Sequence, residues 1–305
     1  MKPIHVIAAI VVVSLSCCTT KKEPLLMPAE ARSFLGDSLY ARPADSLVVV
    51  RADSAMIALR AGNLTEEDFL TMGRLLTSTN RFRAAIKLYD EGLQRFPDSY
   101  KLLRFRGHRY LNLREPDKAY ADLTKAEALS RGNPDEWETD AAGKPVATYR
   151  HQIWYHIGVY HYLMRAYRPA VDAFQQSLDA TREGKNIAGA SDWLYNACQR
   201  AGLTDRAQKV ARQFTTDFDI EDKNYPYFRR LLLYNGIISP AELIDQQKPI
   251  DSMSLSDVTL LYGLANYYAY QQQFDKANPI YQKVAHARDW QGFAVACAEM
   301  DILPQ

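Results

Sequence analysis

Glycine returns at one fixed point of a recurring apolar pattern, at Gly73, Gly107 and Gly158, and nothing else constrains the chain as much. Gly73 and Gly107 stand 34 residues apart, and their surroundings return with them. Phe69, Gly73, Leu76, Ala85, Tyr89 and Pro97 form one unit; Leu103, Gly107, Tyr110, Ala119, Leu123 and Ala126 form the next. Glycine in a helix interior costs about 1 kcal/mol relative to alanine. One that recurs inside an amphipathic pattern therefore marks a place where two backbones come close. Ala85 and Ala119, twelve residues downstream of their glycines, suit a second helix crossing the first, with Tyr89, Leu123 and Phe174 filling the space around the crossing. Such a period predicts an all-α solenoid of helical hairpins, in which neighbouring units bury each other's apolar faces.

Residues 66–99 and 100–133 follow this template in register and resemble the tetratricopeptide repeat (TPR), whose helix-turn-helix units usually serve as protein-binding scaffolds. The resemblance implies a right-handed superhelix. Residues 151–184 keep Trp154, Gly158, Ala170 and Phe174, with Ser177 in place of the usual alanine. Residues 258–291 recover the frame through Leu261, Ala265, Tyr268, Ala277 and Tyr281. Two units are degenerate. Residues 188–221 have Gly202 at the turn and Ala207 at the crossing but Tyr195 at the small-residue position, and 226–247, with Ser239-Pro240 as a helix start, are too short for the template. The apolar segment Phe293 to Leu303 is expected to be a C-terminal capping helix over the last exposed face, as solenoid ends require. A weaker helix from Ala44 to Ala61, stopped by Gly62-Asn63, opens a single elongated domain over 44–305, although Val48 to Val50 would suit a strand better. Arg104 to Arg109 and Ile153 to Gly158 are also similar to a group of bacterial TPR proteins without an assigned role.

An insertion, 130–149, separates the second and third clear units and carries the loop punctuators Gly132, Asn133-Pro134, Gly143 and Pro145. Two readings of it stand: a tolerated mobile insertion, or a flap closing over the groove with Trp137 as its contact. Its carboxylates lack the alternate spacing and central glycine of a calcium loop.

The N-terminus combines Lys2, an apolar run from Val6 to Leu15 too short to span a bilayer, and small residues before Cys17 and Cys18. This order describes a secretory signal. A cysteine at its end resembles the lipobox of bacterial lipoproteins, where the cysteine becomes the lipidated first residue. Residues 1–17 are then a lipoprotein signal peptide, 18–43 a tether, although Leu25 to Met27 and Phe34 to Tyr40 could pack on the first repeat, and Cys17 or Cys18 the lipidation site of an exported protein anchored in the cell envelope, periplasmic or outer-membrane. Cys17 has Ser16 before it; Cys18 has Leu15 at the preferred third position upstream.

With 37 basic and 36 acidic residues, and Lys2 lost with the signal, the mature charge is zero and dispersed, so electrostatics give no reason to expect nucleic acid. Cys198 and Cys297 lie on apolar helical stretches as small buried thiols and, a full repeat or more apart, are not expected to pair. The five-residue steps between His151, His156 and His161 turn about 140° on a helix, so the three cannot share a metal. No HExxH, phosphate loop, CxxC or nucleophile elbow occurs, and neither a metal, a cofactor nor catalysis is expected.

What remains is the concave face. By TPR register the first helix of each hairpin lines it, which carries over to Arg74, Lys101, Arg104, His108, Asn112, Tyr155, Tyr162, Asn196, Arg200, Tyr262, Asn266 and Tyr270. Some TPR proteins clamp a terminal carboxylate from such positions, and Asn196 and Asn266 occupy the ninth place of their units, although the full clamp pattern is absent. The expectation is a lipid-anchored scaffold binding a peptide or protein segment in this groove. The alternatives are a glycan-binding surface protein stacking sugars on Trp154, Tyr155, Tyr162 and Tyr262, and a hydrolase composed across the groove with His108 or His156.

Overall fold

The computed structural model describes residues 28–140, 143–181, 187–220 and 224–304. Cys17, Cys18, the signal segment and the first part of the tether lie outside them. A first helix, α1 (Ser46–Arg60), leads into six helical hairpins: α2 (Glu66–Ser78) with α3 (Phe82–Arg95), α4 (Tyr100–Asn112) with α5 (Pro116–Ser130), α6 (Tyr149–Leu163) with α7 (Tyr167–Asp179), α8 (Ile187–Arg200) with α9 (Thr204–Ala211), α10 (Tyr225–Tyr234) with the single turn α11 (Pro240–Leu243), and α12 (Leu255–Tyr270) with α13 (Phe274–Ala285). A last helix, α14 (Phe293–Ile302), follows. Each hairpin packs on the next, which makes an all-α solenoid of TPR type.

Local chemistry sets the helix starts. Thr65, Ser99, Thr148, Ser239 and Ser254 accept hydrogen bonds from the first-turn amides of α2, α4, α6, α11 and α12, and Asp68, Glu242 and Asp257 complete capping boxes. The recurring glycines do what the pattern asks of them. A Cβ on Gly73 would collide with the Tyr89 ring; one on Gly107 would lie 2.9 Å from Leu123 and one on Gly158 2.6 Å from Phe174. Tyr195, which breaks the small-residue rule, stacks its ring on Tyr234 at 4.2 Å and so fills the interface to the next hairpin.

Every hairpin turn contains a left-handed residue two places after its first helix: Asn80, Arg114, Arg165 and Gln272 at φ 57–61°, Gly202 and Gly236 at 74°. The amide after each reaches back to a carbonyl of the preceding helix, as Glu115 does to Tyr110 and Ala166 to His161, which is the Schellman closure. For a residue with a Cβ this conformation costs roughly 1–2 kcal/mol. At Arg114 and Arg165 that strain positions guanidinium groups that the last helix needs.

As expected, α14 caps the last hairpin, packing on α13 and α12, and it also reaches α4 and α6 across the concave side. Glu299, fully buried, accepts Arg114 Nε at 3.0 Å and Nη2 at 2.6 Å. Asp301 pairs with Arg200 at 2.9 Å, and Arg165 donates to the carbonyls of Met300 and Leu303. The physical reason is curvature: as the stack curls, its first hairpins and its C-terminus share one interior, and an apolar helix buries more surface there than at an end alone. The described part of the tether is packed, with Phe34, Leu35 and Leu39 against the core. Strands β1 (Ala31–Arg32) and β2 (Ser38–Leu39) form a small hairpin whose Phe34 amide donates to Glu299. Beyond it, Trp290 Nε1 donates to the Tyr40 carbonyl, and Asn80 donates to that of Arg42. Glu299 thus joins the N-terminal strap, the second hairpin and the C-terminal helix.

The insertion folds as a second antiparallel hairpin, β3 (Trp137–Thr139) with β4 (Pro145–Thr148). It docks over the concave side through carboxylates rather than through Trp137. Glu136 accepts Tyr100 Oη and Lys101 Nζ, both at 2.8 Å, and Glu138 pairs with Arg104 at 2.9 Å. No helix among the described residues is long and apolar enough to cross a membrane.

Candidate functional site

On the concave side, α4 and α6 border a chamber of about 290 Å³, closed on other sides by Val146 and Ala147 of the β4 hairpin, the start of α8, Tyr227 of α10 and Phe293 of α14. A second cavity of about 250 Å³, bordered by Phe82, Arg109, Asn112 and Trp193, shares His108, Tyr227 and Phe293 with the first. These paired cavities are the part of the groove that α14 leaves unfilled. At the outer, N-terminal end of α4, Phe96, Tyr100, Lys101 and Glu136 border a surface groove of about 450 Å³.

The chamber wall is cationic and aromatic. Arg104 is only 3 % exposed; its guanidinium stacks on Phe105 at 4.4 Å, and its Nε has no acceptor. Arg109 Nη2 donates to His108 Nδ1, which places the His108 proton on Nε2. His156 Nδ1 donates to the Gln152 carbonyl at 2.6 Å, so its Nε2 is left as an acceptor. The two imidazoles lie 4.2 Å apart. Burial first, then the neighbouring guanidinium groups, hold both well below the ordinary imidazole range, and both are neutral at pH 7. Burial also lowers the Arg109 guanidinium to about 10. His151 borders the same chamber, its Nδ1 held by the Ser177 carbonyl and the Thr181 hydroxyl, while His161 sits elsewhere against Tyr120 and Tyr160. His151 and His156 thus share one chamber despite their angular offset, because α6 is wrapped on more than one side.

Of the twelve lining residues carried over by register, the structure brings Arg104, His108 and Tyr155 to the chamber. Lys101 is at the outer groove, where Glu136 at 2.8 Å and Glu66 at 3.9 Å neutralise it, and Arg74 pairs with Glu67 at 2.6 Å. The basic end of the face is therefore balanced by acids.

The others are corrections: they face inward but serve the protein's own interior. Asn112 donates to the Gln291 carbonyl at 2.7 Å. Asn196, Asn266, Tyr270 and Tyr281 form one hydrogen-bonded cluster with Arg200. Tyr262 donates to Asp301 at 2.9 Å and lies beside Tyr162. Asn196, Tyr162, Tyr262 and Asn266 are buried among α8, α12 and α14, whereas Arg200 and Tyr270 are half-buried and Asn112 borders the second cavity. Of the four rings in the glycan reading, Tyr162 and Tyr262 are buried and Trp154 and Tyr155 are half-buried.

Sequence reasoning missed Arg109, Asn224 and Tyr227 in the cavities, and Arg114 and Arg165 at the turns. Only the turn arginines left a signal, being side chains at a left-handed position that glycine takes in other hairpins. It also missed a fully buried ion pair, Asp192 with Arg230 at 3.0 Å, for which Gly263 leaves room. Cys198 and Cys297 are buried free thiols.

No protein-family model matches this chain, and no curated protein does. Several solved TPR structures are similar to it in fold. YrrB, described as a TPR protein with an unusual peptide-binding site, aligns at a TM-score of 0.43 and 14 % identity over 76 % of this chain and 91 % of its own. A tetratricopeptide repeat protein from Parabacteroides merdae aligns at 0.47 and 15 % over 82 % and 92 %. The TPR domain of P58(IPK) aligns at 0.30 and 15 % over 83 % and 75 %.

Proposed function

We propose that this chain is a non-catalytic scaffold, exported and lipid-anchored in the bacterial cell envelope through Cys17 or Cys18, that binds a peptide or protein segment. The reading places the partner at the groove on the N-terminal end of α4, because α14 takes the deeper part of the concave face for itself. The observation that carries it is the composition of that groove. Half-buried Phe96 offers aromatic surface with the largely buried Tyr100 ring beside it, and Arg95 and Lys101 offer cations beside Glu66 and Glu136. That is an amphipathic mixture suited to an extended segment with both charges.

The test is site-specific crosslinking in the native envelope. A photoreactive residue at position 101 is expected to give a discrete protein adduct that weakens at about 0.5 M salt, where exposed charge pairs are screened. The same residue at exposed Arg212, on the helix α9 side, is expected to give none. Absence of any adduct at 101, or identical adducts at both positions, refutes the assignment.

A further inference from the structure

Among the described residues, the paired cavities around His108 bring together more cations than carboxylates. Two guanidinium groups, Arg104 and Arg109, approach them, and Glu138 is the carboxylate that pairs with Arg104. Among the described residues no carboxylate pairs with Arg109, and the Nε atoms of both arginines lack acceptors. None of the described residues bordering either cavity is acidic. Arg104 is buried and paired, whereas Arg109 is half-buried with no described carboxylate beside it, and a partly desolvated cation lining a cavity marks a place where a ligand could supply the missing charge.

The neighbouring groups suit an anion with an apolar body. His108 carries its proton on Nε2 and is a donor; Tyr155, Tyr227 and Phe293 supply aromatic walls. At about 290 and 250 Å³ the cavities are at or below the lower end of small-molecule pockets, roughly 300 Å³, and far smaller than a bound peptide segment needs. We propose that this lumen is a binding site for a small free carboxylic acid, its carboxylate at Arg109 beside His108 and its body along Tyr227 and Phe293, which border both cavities, toward Tyr155. It is separate from the outer groove on α4 and does not depend on the partner assigned there.

Calorimetry on the full chain in detergent tests this with phenylacetate as probe, benzyl alcohol as the uncharged control and an alanine octapeptide with a free C-terminus as the bulky one. Gly189→Leu fills the chamber without altering charge: a Cβ at 189 already lies 3.5 Å from Asn224 Oδ1 and 3.8 Å from Tyr155 and Tyr227. Arg109→Met removes the unpaired cation. Phenylacetate is expected to bind saturably, with benzyl alcohol weaker by about tenfold or more and both variants losing about tenfold or more, each a difference of about 1.4 kcal/mol. Ligand-free Arg109→Met is expected to melt at or above the temperature of the parent, since a charge kept for a ligand does not stabilise the empty protein. Several results overturn the proposal: no saturable phenylacetate binding, equal affinity for acid and alcohol, binding retained in both variants, or a lowered melting temperature for Arg109→Met. Octapeptide binding as tight as that of phenylacetate also overturns it and assigns the lumen to a chain terminus.

Discussion

Removing the Glu299 carboxylate should open the molecule at the point where its two ends meet. Glu299 is fully buried, accepts two hydrogen bonds from Arg114, which is itself only 2 % exposed at its side chain, and accepts the Phe34 amide at 3.0 Å. Glu299→Ala leaves a buried guanidinium without its counter-charge, a loss that runs to about 3–5 kcal/mol. The unmade Phe34 hydrogen bond adds roughly 1 kcal/mol. Arg114→Met combined with Glu299→Met removes both charges together and should return most of that loss, because an apolar pair of similar volume is often neutral to stability. The assay is urea unfolding followed by circular dichroism, with hydrogen exchange read at the Phe34 amide. Solenoid stability is a sum of neighbour contacts, so the single variant should also lose cooperativity, with the strap and α14 melting before the central hairpins. A Glu299→Ala midpoint within about 1 kcal/mol of the parent, or unchanged protection at Phe34, refutes the account of Glu299 as the closing contact.

Gly158→Ala drives a methyl group to 2.6 Å from the Phe174 ring and should cost about 1–3 kcal/mol in the same unfolding assay, despite alanine's better helix propensity. His108 and His156 are held below the ordinary imidazole range when folded. The unfolded chain therefore takes up protons below its pKa of about 6.5 that the folded chain does not. Stability should fall as pH drops from 7 toward 5, by up to about 1.4 kcal/mol per pH unit for each histidine, and His156→Gln should flatten the slope. Replacing Cys17 and Cys18 together by alanine should move the protein from the membrane to the soluble fraction after osmotic lysis; unchanged sedimentation with membranes counts against lipid anchoring.

The helical hairpin was legible because its cause is local. Each glycine meets the large residue sixteen positions on, Tyr89, Leu123 or Phe174, and both members of the contact lie within one unit. The Ser and Thr caps are likewise set by residues three apart. The candidate site was legible only in part, for the same reason. Arg104, His108 and Tyr155, assigned to the concave side by register, border one cavity, but whether that side is open depends on residues far along the chain. Asn112 meets Gln291, Arg114 meets Glu299 and Tyr162 meets Tyr262, pairs separated by 100 to 185 positions.

By itself, then, the sequence determined the repeating unit: the close approach at glycine, the turn, and the helix face turned inward, all consequences of side-chain volume and backbone conformation within about 34 residues. Only the tertiary structure decided what fills the groove. The curl of the stack brings the N-terminal strap and α14 into one interior. There, burial of an apolar helix and the pairing of Arg114 and Arg200 with Glu299 and Asp301 outweigh leaving the face open to solvent. What stays unfilled is the lumen around His108, where among the described residues Arg104 is paired with Glu138 and Arg109 has no carboxylate partner.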